Sequence, residues 1–368
     1  MDIHDGHALT RVINAAGSFT PLGVSRSSPA VAAAAAEALQ AFFVMDELQD
    51  AASAASVRLT GAQAGAVVHC AAAGITLSIA AAMAGGSAQA VAALPDATGL
   101  PARVVLPAGH AVDYGHPIVQ DIRLAGATPV LAGTDAGCAI AEIEAALADE
   151  AAACLLLVSS RLVRGAPVDL GEAVAAAHRR GVPAIIDGAA QDMRIGALLA
   201  TGADLVVISA QKYLASPTAG LVIGRADLVR AVRAHEKGIG RAMKASKEAI
   251  CGVLAAIGER EALDMAEWRG VQDEKVAGFV AKANGLAGID ARAVPDPAGM
   301  PFARVHLRID PAAAGRDARA VADGLKTGSP SIRVMEHGLD AGEVILELVG
   351  LREDEVAAIL TGLEGLAG

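Results

Sequence analysis

The sequence has few aromatic residues and few cysteines. Its 368 residues include only five Phe, two Tyr and one Trp, so the apolar content of 54% comes mainly from alanine rather than from blocks of Leu, Ile or Phe. The cysteines form no Cys-x-x-Cys motif and show no spacing typical of metal ligands. We therefore expect no metal site, and we expect the reduced thiols of a cytoplasmic protein at Cys70, Cys138, Cys154 and Cys251.

The chain also lacks an excess of basic residues. It contains 30 Lys and Arg against 41 Asp and Glu, and its net charge is −11. A nucleic-acid partner requires a basic surface, so this balance argues against one, tRNA included. The apolar content excludes an intrinsically disordered chain, and the length suits one large or two medium domains.

One long stretch, residues 61–95, contains no charged side chain and is long enough to span a bilayer. Glycines and polar residues such as Gln63, His69 and Gln89 interrupt it. This pattern favours a buried strand followed by a buried helix, so we expect no membrane partner. The first residues, MDIHDGHALTRV, are polar and acidic, which predicts no secretory signal.

Short apolar runs alternate with alanine-rich helical stretches over the first two thirds of the chain. The runs are continuously apolar, which is typical of strands buried on both faces. They predict strands at residues 65–70, 103–106, 128–131, 153–158, 184–187, 205–209 and 221–223. Helical stretches such as 170–180 lie between them, so we expect an α/β fold with a doubly wound sheet.

The pattern changes after Gly224. A mostly helical region is predicted from 227 to 283, and strand-like segments at 303–309, 331–335 and 343–348 precede a last helix at 353–364. We therefore predict three parts. They are an N-terminal segment, residues 1–49, packing across both domains; a large domain, residues 50–245; and a linking helix with a small C-terminal α+β domain, residues 246–368.

A carboxylate and an amine are predicted at the same edge of the sheet. Asp187 ends the strand at 184–187, and Lys212 follows the next strand along the chain by three residues. Ligands of open α/β sheets bind at the carboxyl ends of the strands. The two residues could form a structural salt bridge, or they could be the acid and the lysine that pyridoxal 5'-phosphate (PLP) requires.

In the second interpretation the carboxylate keeps the ring nitrogen protonated, and the lysine forms a Schiff base and later moves a proton at Cα. A third feature agrees with it. After the first predicted strand, Ala72, Ala73 and Gly74 begin a helix whose free amides and positive dipole end favour a phosphate. Together the three features predict a PLP site.

The segment around the lysine, SAQKYLASPTAGLVIG at 209–224, resembles that of fold-type I PLP-dependent enzymes related to bacterial selenocysteine synthase. It is most similar to the D-glucosaminate-6-phosphate ammonia-lyase branch. The resemblance extends over roughly residues 11–255. It is carried by INAAG at 13–17 with LGVS at 22–25, VMDEL at 44–48, RLTGA at 58–62, His110 with Tyr114-Gly115, IDGAA at 186–190, and GRAMK at 240–244 with Lys247-Glu248.

The resemblance implies the fold-type I architecture, with a seven-stranded, mostly parallel sheet and a smaller C-terminal domain. It implies that Lys212 binds PLP covalently, that Asp187 pairs with the pyridine nitrogen, and that backbone amides of residues 72–74 bind the phosphate. Ser209 and Gln211 are candidate helpers in cofactor binding.

Two further roles are implied near the cofactor. Thr218 lies where related enzymes reach the phosphate of a neighbouring subunit, which implies a homodimer or higher homo-oligomer with shared active sites. His110 is the candidate that stacks on the cofactor ring, with an ordinary loop histidine as the alternative. Tyr114 and His116 compete for the stacking role.

Several side chains are candidates for binding or bordering a substrate. Arg241 and Lys244 follow a glycine-rich turn and could bind anionic groups, although a solvated helix face would explain them equally well. Arg333 lies where many fold-type I enzymes keep a carboxylate-binding arginine. The remaining candidates are Tyr114, Arg161, Arg164, Asp46 and Glu47, the last two at the border of the site or at a subunit contact.

The implied activity is that of a PLP-dependent lyase. Its substrate is a small β-hydroxy or β-substituted amino acid, for example an amino sugar acid such as D-glucosaminate 6-phosphate, and α,β-elimination gives a keto acid and ammonia. The acid that protonates the leaving hydroxyl stays open among His110, His116 and Tyr114. Racemisation, aldol cleavage or β-replacement on the same cofactor are alternatives, and a non-catalytic scaffold is a rival of another class.

Three segments near the expected substrate depart from the family pattern. GAAQD at 188–192 contains fewer acidic residues than expected, Tyr213 is bulky directly after the lysine, and SSRLVR at 159–164 lacks an expected histidine. These departures leave the substrate open.

Overall fold

The computed structural model describes residues 2–366. Ser27–Ala262 form one compact unit, here the central unit. The described residues up to Arg26, together with those from Leu263 onward, form a second one, here the terminal unit. The domain boundaries predicted at residues 49 and 245 stay predictions.

Helices and strands alternate along most of the chain. Strands β1 to β12 are, in order, Val12–Asn14, Ala64–Val68, Arg103–Pro107, Thr128–Ala132, Ala152–Val158, Ala184–Asp187, Leu205–Ser209, Gly220–Gly224, Ile289–Pro295, Ala303–Ile309, Ser331–Arg333 and Glu343–Leu346. Helices α1 to α15 are Ile3–His7, Pro29–Leu39, Met45–Thr60, Ala71–Ala84, Ala88–Ala93, Ile118–Leu124, Ile140–Ala146, Leu170–Arg179, Ile195–Leu199, Ala226–Ala234, Lys247–Ala262, Met265–Ala283, Pro311–Ala314, Ala318–Thr327 and Glu353–Glu364. Short 3-10 turns include Ala108–His110, Asp192–Arg194 and Ile239–Ala242.

The central unit is built on a seven-stranded sheet in the order β2-β8-β7-β6-β5-β3-β4. Every neighbouring pair is parallel except the two that involve β8. β8 returns antiparallel to β7 because the loop between them, residues 210–219, is too short for a crossover connection. This loop carries Lys212. The predicted α/β fold with a seven-stranded, mostly parallel sheet is confirmed.

Both faces of this sheet are buried. In β5, Leu155 and Leu157 belong to one core cluster, while Cys154 and Leu156 belong to the other, and all four are 0% exposed. Successive side chains of a strand point to opposite faces, so a strand covered on both sides needs an apolar residue at every position. The continuous apolar runs in the sequence have this physical cause.

The terminal unit contains two small sheets. β1 pairs in parallel with β11, and β12, β10 and β9 form an antiparallel sheet in that order. Neither β1 nor β9 was predicted from the sequence. β9 buries only Ile289 and Ala291, so its sequence lacks the apolar run that identified the other strands.

Several of the longer helices begin at a side chain that accepts a backbone hydrogen bond, for example Asp169 before α8 and Asp264 before α12. Helix α4, like α3, has no such cap, because its N-cap residue Cys70 accepts no backbone hydrogen bond through its side chain. Among the helices of residues 2–366, none combines the length and the apolar character needed to cross a bilayer.

Candidate active site

Asp187 is the last residue of β6, and its carboxylate is buried at the carboxyl edge of the central sheet. The residue is 5% exposed and lies in register with Val158 of β5 and Val207 of β7. Its Oδ1 accepts a hydrogen bond from the amide of Ala189 at 2.9 Å. Burial raises the pKa of Asp187 to about 6, although this hydrogen bond and the charge of Lys212 oppose the shift.

Lys212 lies in the loop between β7 and β8. Backbone hydrogen bonds close this loop: Ala210 donates to the carbonyl of Ala219 at 3.0 Å, and Ser216 donates to that of Ala210 at 3.1 Å. The amide of Lys212 itself donates to the carbonyl of Ser209, the buried last residue of β7, at 3.2 Å. β6 and β7 are parallel neighbours, so Asp187 and Lys212 follow adjacent strands to the same edge of the sheet, and the charge of Lys212 opposes the upward shift in the pKa of Asp187.

The first turn of α4 lies at the same edge. Its Gly74 amide already donates to the carbonyl of Cys70 at 2.9 Å, whereas Ala72 and Ala73 lie in the first turn, where amides have no partner within the helix. A Cβ on Gly220 would lie 2.5 Å from the backbone of Cys70, so only glycine lets β8 approach this turn. The amides of Ala72 and Ala73 are therefore better placed than that of Gly74 to receive a phosphate, and Gly74 permits close packing, since a Cβ there would lie 2.8 Å from Val207 Cγ1.

These features fit PLP. A buried carboxylate with a raised pKa favours a cationic partner such as a protonated ring nitrogen, and an uncapped helix N-terminus favours a phosphate. The residues that would hold the cofactor are Asp187, Lys212, Ala72 and Ala73. Gln211 is partly buried beside the lysine.

A cavity of about 280 Å³ opens beside the first turn of α4. Tyr114, His116 and Asp121 line it together with Ala72 and Ala73. Asp121 is almost fully buried, and its two carboxylate oxygens accept hydrogen bonds from Tyr114 Oη at 2.5 Å and from His116 Nε2 at 2.8 Å. Burial raises the pKa of Asp121, and the two hydrogen bonds oppose that shift.

His110 ends the 3-10 turn that follows β3 and is 2% exposed. Its Nδ1 accepts the backbone N–H of Val158 at 2.9 Å, and Val158 is the β5 neighbour of Asp187. Burial lowers the pKa of His110 to about 4, so the imidazole is neutral at neutral pH. The structure thus brings His110 to the sheet edge, while its stacking role stays a prediction.

The segment with the predicted anion-binding residues runs along the edge strand β2. His69 donates its backbone N–H to the carbonyl of Met243 at 2.9 Å, and Lys244 forms an isolated bridge with Val68. Met243 also lines the cavity beside α4. Arg241 and Lys244 are both exposed in this segment.

The other predicted substrate-binding side chains are hydrogen-bonded to neighbouring residues or are exposed to solvent. The guanidinium of Arg164 donates to the carbonyl of Ala111 at 3.2 Å and to Asp135 at 2.9 Å, so it supports the turn that carries His110. Arg333 belongs to the terminal unit, where its Nε donates to Ser331 Oγ at 3.0 Å. The remaining candidates are exposed: Thr218 in the lysine loop, Arg161 after β5, and Asp46 and Glu47 in the first turn of α3.

Three residues near the site were missed from the sequence: Asp121, and the ion pair of Asp192 with Arg260. Arg260 Nη2 lies 2.9 Å from Asp192 Oδ2 and also donates to the carbonyl of Tyr213, the residue after the lysine, at 2.9 Å. Burial raises the pKa of Asp192, and the charges of Arg260 and Lys212 oppose the shift. Arg260 lies in a helix far along the chain, and nothing in its sequence context points to the lysine loop.

Comparison with known proteins identifies the family. No family model matches the chain. The chain is 33% identical over its full length to D-glucosaminate-6-phosphate ammonia lyase of Salmonella typhimurium, 98% of which is covered. It is 35% identical over 96% of its length to a 5'-C-glycyluridine monooxygenase-decarboxylase of a Streptomyces species, 89% of which is covered.

Solved structures indicate the same family. A structure of D-glucosaminate-6-phosphate ammonia-lyase has a TM-score of 0.90 and 32% identity, and the match covers the whole chain and 98% of that structure. Serine palmitoyltransferase of Sphingomonas wittichii shares the fold, with a TM-score of 0.61 and 16% identity over 96% of this chain and 86% of that one. The predicted fold type, the cofactor PLP and the enzyme class, a PLP-dependent lyase, are confirmed. The chain belongs to the D-glucosaminate-6-phosphate ammonia-lyase family of fold-type I PLP-dependent enzymes.

Proposed function

We propose that the protein eliminates the β-hydroxyl of an amino acid that carries a second anionic group, as an amino sugar acid phosphate does, and releases a keto acid and ammonia. The observation that carries this proposal is the similarity to D-glucosaminate-6-phosphate ammonia lyase over the full length of the chain. Asp187 and Lys212, at neighbouring strand ends, support the same chemistry.

PLP supplies an electron sink that stabilises negative charge at the substrate Cα. Lys212 is proposed to hold the cofactor and then to remove the Cα proton. Asp187 is proposed to stay ionised beside the ring nitrogen, because a cationic partner lowers the pKa that burial raises to about 6. The amides of Ala72 and Ala73 are proposed to bind the phosphate.

The anionic groups of the substrate need cationic partners. Arg241 and Lys244 are the proposed partners in the central unit, and Arg333 stays a candidate from the resemblance alone. Arg241 and Lys244 are exposed, which leaves them accessible to a ligand, and the charge of Lys244 also acts on the pKa of Glu236.

The direct test is a screen of the PLP-loaded protein. D-glucosaminate 6-phosphate, D-glucosaminate and the D- and L-forms of serine and threonine would be assayed for keto acid and ammonia. We expect release of both from the phosphorylated amino sugar acid. Lys212→Ala should abolish the release and the violet absorbance of the lysine-bound cofactor, whereas Lys237→Ala, an exposed lysine, should leave both unchanged.

Other outcomes identify the rival reactions. Inversion at Cα alone indicates a racemase, an aldehyde with glycine indicates aldol cleavage, and incorporation of an added thiol indicates β-replacement. One relative is a monooxygenase-decarboxylase, so oxygen uptake and carbon dioxide should be followed in the same samples. Protein that stays colourless with added PLP would reject any enzymatic role in favour of a scaffold.

We also propose that the protein forms a homodimer or higher homo-oligomer with shared active sites. Leu39 at the end of α2 and Val44 just before α3 are exposed, and Phe42 between the two helices is exposed completely; an apolar patch of this kind marks an interaction site. Thr218, proposed to reach a neighbouring subunit, is exposed in the lysine loop.

The oligomer is tested by light scattering after size exclusion. Phe42→Asp should shift the mass toward the monomer, whereas Val271→Asp, an exposed apolar residue of α12, should leave it unchanged. A monomeric wild-type protein would reject this proposal.

We also propose a cytoplasmic location, which the four free cysteines of the chain support. Cell fractionation tests it.

A further inference from the structure

An elimination reaction needs an acid as well as a base. Hydroxide is a poor leaving group, so the β-oxygen must be protonated as its bond to Cβ breaks. His110, His116 and Tyr114 all follow β3 and are possible donors by residue type. The hydrogen bonds of the three side chains show which of them is placed to donate a proton.

His110 is unsuited to donate this proton. Its Nδ1 is occupied by the backbone N–H of Val158 at 2.9 Å, and the residue is almost fully buried. Burial also lowers the pKa of His110 to about 4, so the imidazolium form is scarce at neutral pH.

Tyr114 is unsuited for a different reason. Its hydroxyl donates its proton to Asp121 Oδ2 at 2.5 Å. Burial and the charge of Asp121 raise the pKa of this hydroxyl, which makes it a weaker acid than an ordinary tyrosine.

His116 has the arrangement of an oriented acid. Its Nε2 lies 2.8 Å from Asp121 Oδ1, and its side chain is 32% exposed and lines the cavity beside Ala72 and Ala73. Within residues 2–366 the ring makes no further hydrogen bond, so Nδ1 is available to a ligand. Asp121 is itself held, because Thr76 Oγ1 of α4 donates to its backbone carbonyl at 3.2 Å.

We propose that His116, oriented by Asp121, donates the proton to the leaving β-hydroxyl; this inference rests on the lyase function proposed above. The Cα–H bond breaks, and its proton goes to the Lys212 amine. The electron pair of that bond forms the Cα–Cβ double bond, the Cβ–O bond breaks, and the oxygen leaves as water with the proton from His116. No oxidant or reductant is needed. Besides Asp121 and Tyr114, the titratable groups that line the cavity are His69 and Cys70.

The test changes the leaving group. PLP-loaded wild type, His116→Gln and the control His7→Gln, at an exposed histidine outside the cavity, would be given D-glucosaminate 6-phosphate and its analogue with chlorine in place of the β-hydroxyl. Chloride leaves without a proton. We expect His116→Gln to lower keto-acid release from the hydroxyl substrate about 100-fold or more and from the chloro analogue less than fivefold. His7→Gln should change neither rate more than about threefold.

A second readout is independent of elimination. Exchange of the Cα hydrogen in deuterium oxide depends on Lys212 and should persist in His116→Gln, as should the visible absorbance of the bound cofactor. Asp121→Asn, which removes the positioning carboxylate, should show the same selective loss for the hydroxyl substrate.

Equal losses for both leaving groups, or no loss, would overturn the role of His116. If wild type exchanges the Cα hydrogen but releases no keto acid from either compound, the proposed lyase function fails, and this inference falls with it. The two failures are therefore distinguishable.

Discussion

Asp187 combines a cost in stability with a proposed role in binding PLP. Its folded pKa is raised from 3.8 to about 6, because burial disfavours the charged form. The folded protein therefore holds this proton to higher pH than the unfolded chain does. Stability falls as pH rises from about 4 to about 6, by up to about 3 kcal/mol for two pKa units.

We expect Asp187→Asn to stabilise the cofactor-free protein at pH 8 by about 1–3 kcal/mol, because the neutral amide avoids the buried charge. At pH 4, where Asp187 is protonated in the folded wild type, the two proteins should differ little. Urea unfolding at both pH values measures this. Asp113→Asn, an exposed control, should have no effect. A difference between wild type and Asp187→Asn that does not depend on pH would contradict the prediction. The same variant should lose PLP binding at both pH values.

At the scale of elements, close contact between α4 and the sheet depends on a glycine. A Cβ on Gly74 would meet Val207 Cγ1 at 2.8 Å and Val222 Cγ2 at 3.2 Å, and both valines are buried in central strands. Gly258, in α11, has no atom within 4 Å of the corresponding position.

The two glycines should respond to alanine with opposite signs. Gly74→Ala should destabilise by about 1–3 kcal/mol through overpacking, and it should also weaken PLP binding, because α4 would move. Gly258→Ala should stabilise by about 0.5–1 kcal/mol through helix propensity. Thermal unfolding and PLP titration measure the effects. A Gly74→Ala protein more stable than wild type would contradict this prediction, because it would show that Val207 and Val222 move aside to accommodate the added Cβ.

The ion pair of Asp192 with Arg260 ties α11 to the lysine loop. Both side chains are largely buried, and Arg260 also holds the carbonyl of Tyr213. Removing one partner leaves a buried charge, so Arg260→Met should cost about 3–5 kcal/mol in urea unfolding. Adding Asp192→Asn to the Arg260→Met protein should recover part of the lost stability. Arg58→Met breaks an exposed pair with Glu261, and this control should cost under about 1 kcal/mol.

At the scale of the whole molecule, a net charge of −11 repels an anionic substrate. Attraction must then come from a local group of cations, for which Arg241 and Lys244 are proposed. Each hydrogen bond to a charged group contributes about 1.5–3 kcal/mol, equivalent to roughly tenfold or more in binding.

We therefore expect Arg241→Gln and Lys244→Gln each to raise KM for the phosphorylated substrate about tenfold, with kcat changed less than threefold. Lys237→Gln, an exposed lysine on the preceding turn, is the control. Steady-state kinetics at two salt concentrations measure this, since screening should raise the wild-type KM as well. Losses confined to kcat would indicate that these residues act on the chemical step.

The strands of the central sheet could be predicted from the sequence, because each one is marked by a local pattern of apolar residues. The strands Ala184–Asp187 and Leu205–Ser209 agree with their predicted bounds, since strands buried on both faces are continuously apolar. β9 was missed, because its alternating burial leaves few apolar residues. Contacts between elements distant in sequence, such as Arg260 with Asp192, left no local pattern.

The sequence by itself determined the fold class, the cofactor and the family, and it pointed to Asp187 and Lys212, because these depend on residue type and on position at a strand end. Only the tertiary structure decided which of three neighbouring side chains can serve as the acid. His110, Tyr114 and His116 lie within seven residues of each other, yet their partners are Val158 and Asp121. Burial lowers the pKa of His110 and raises that of Tyr114, and burial and these hydrogen bonds arise only when the elements pack together.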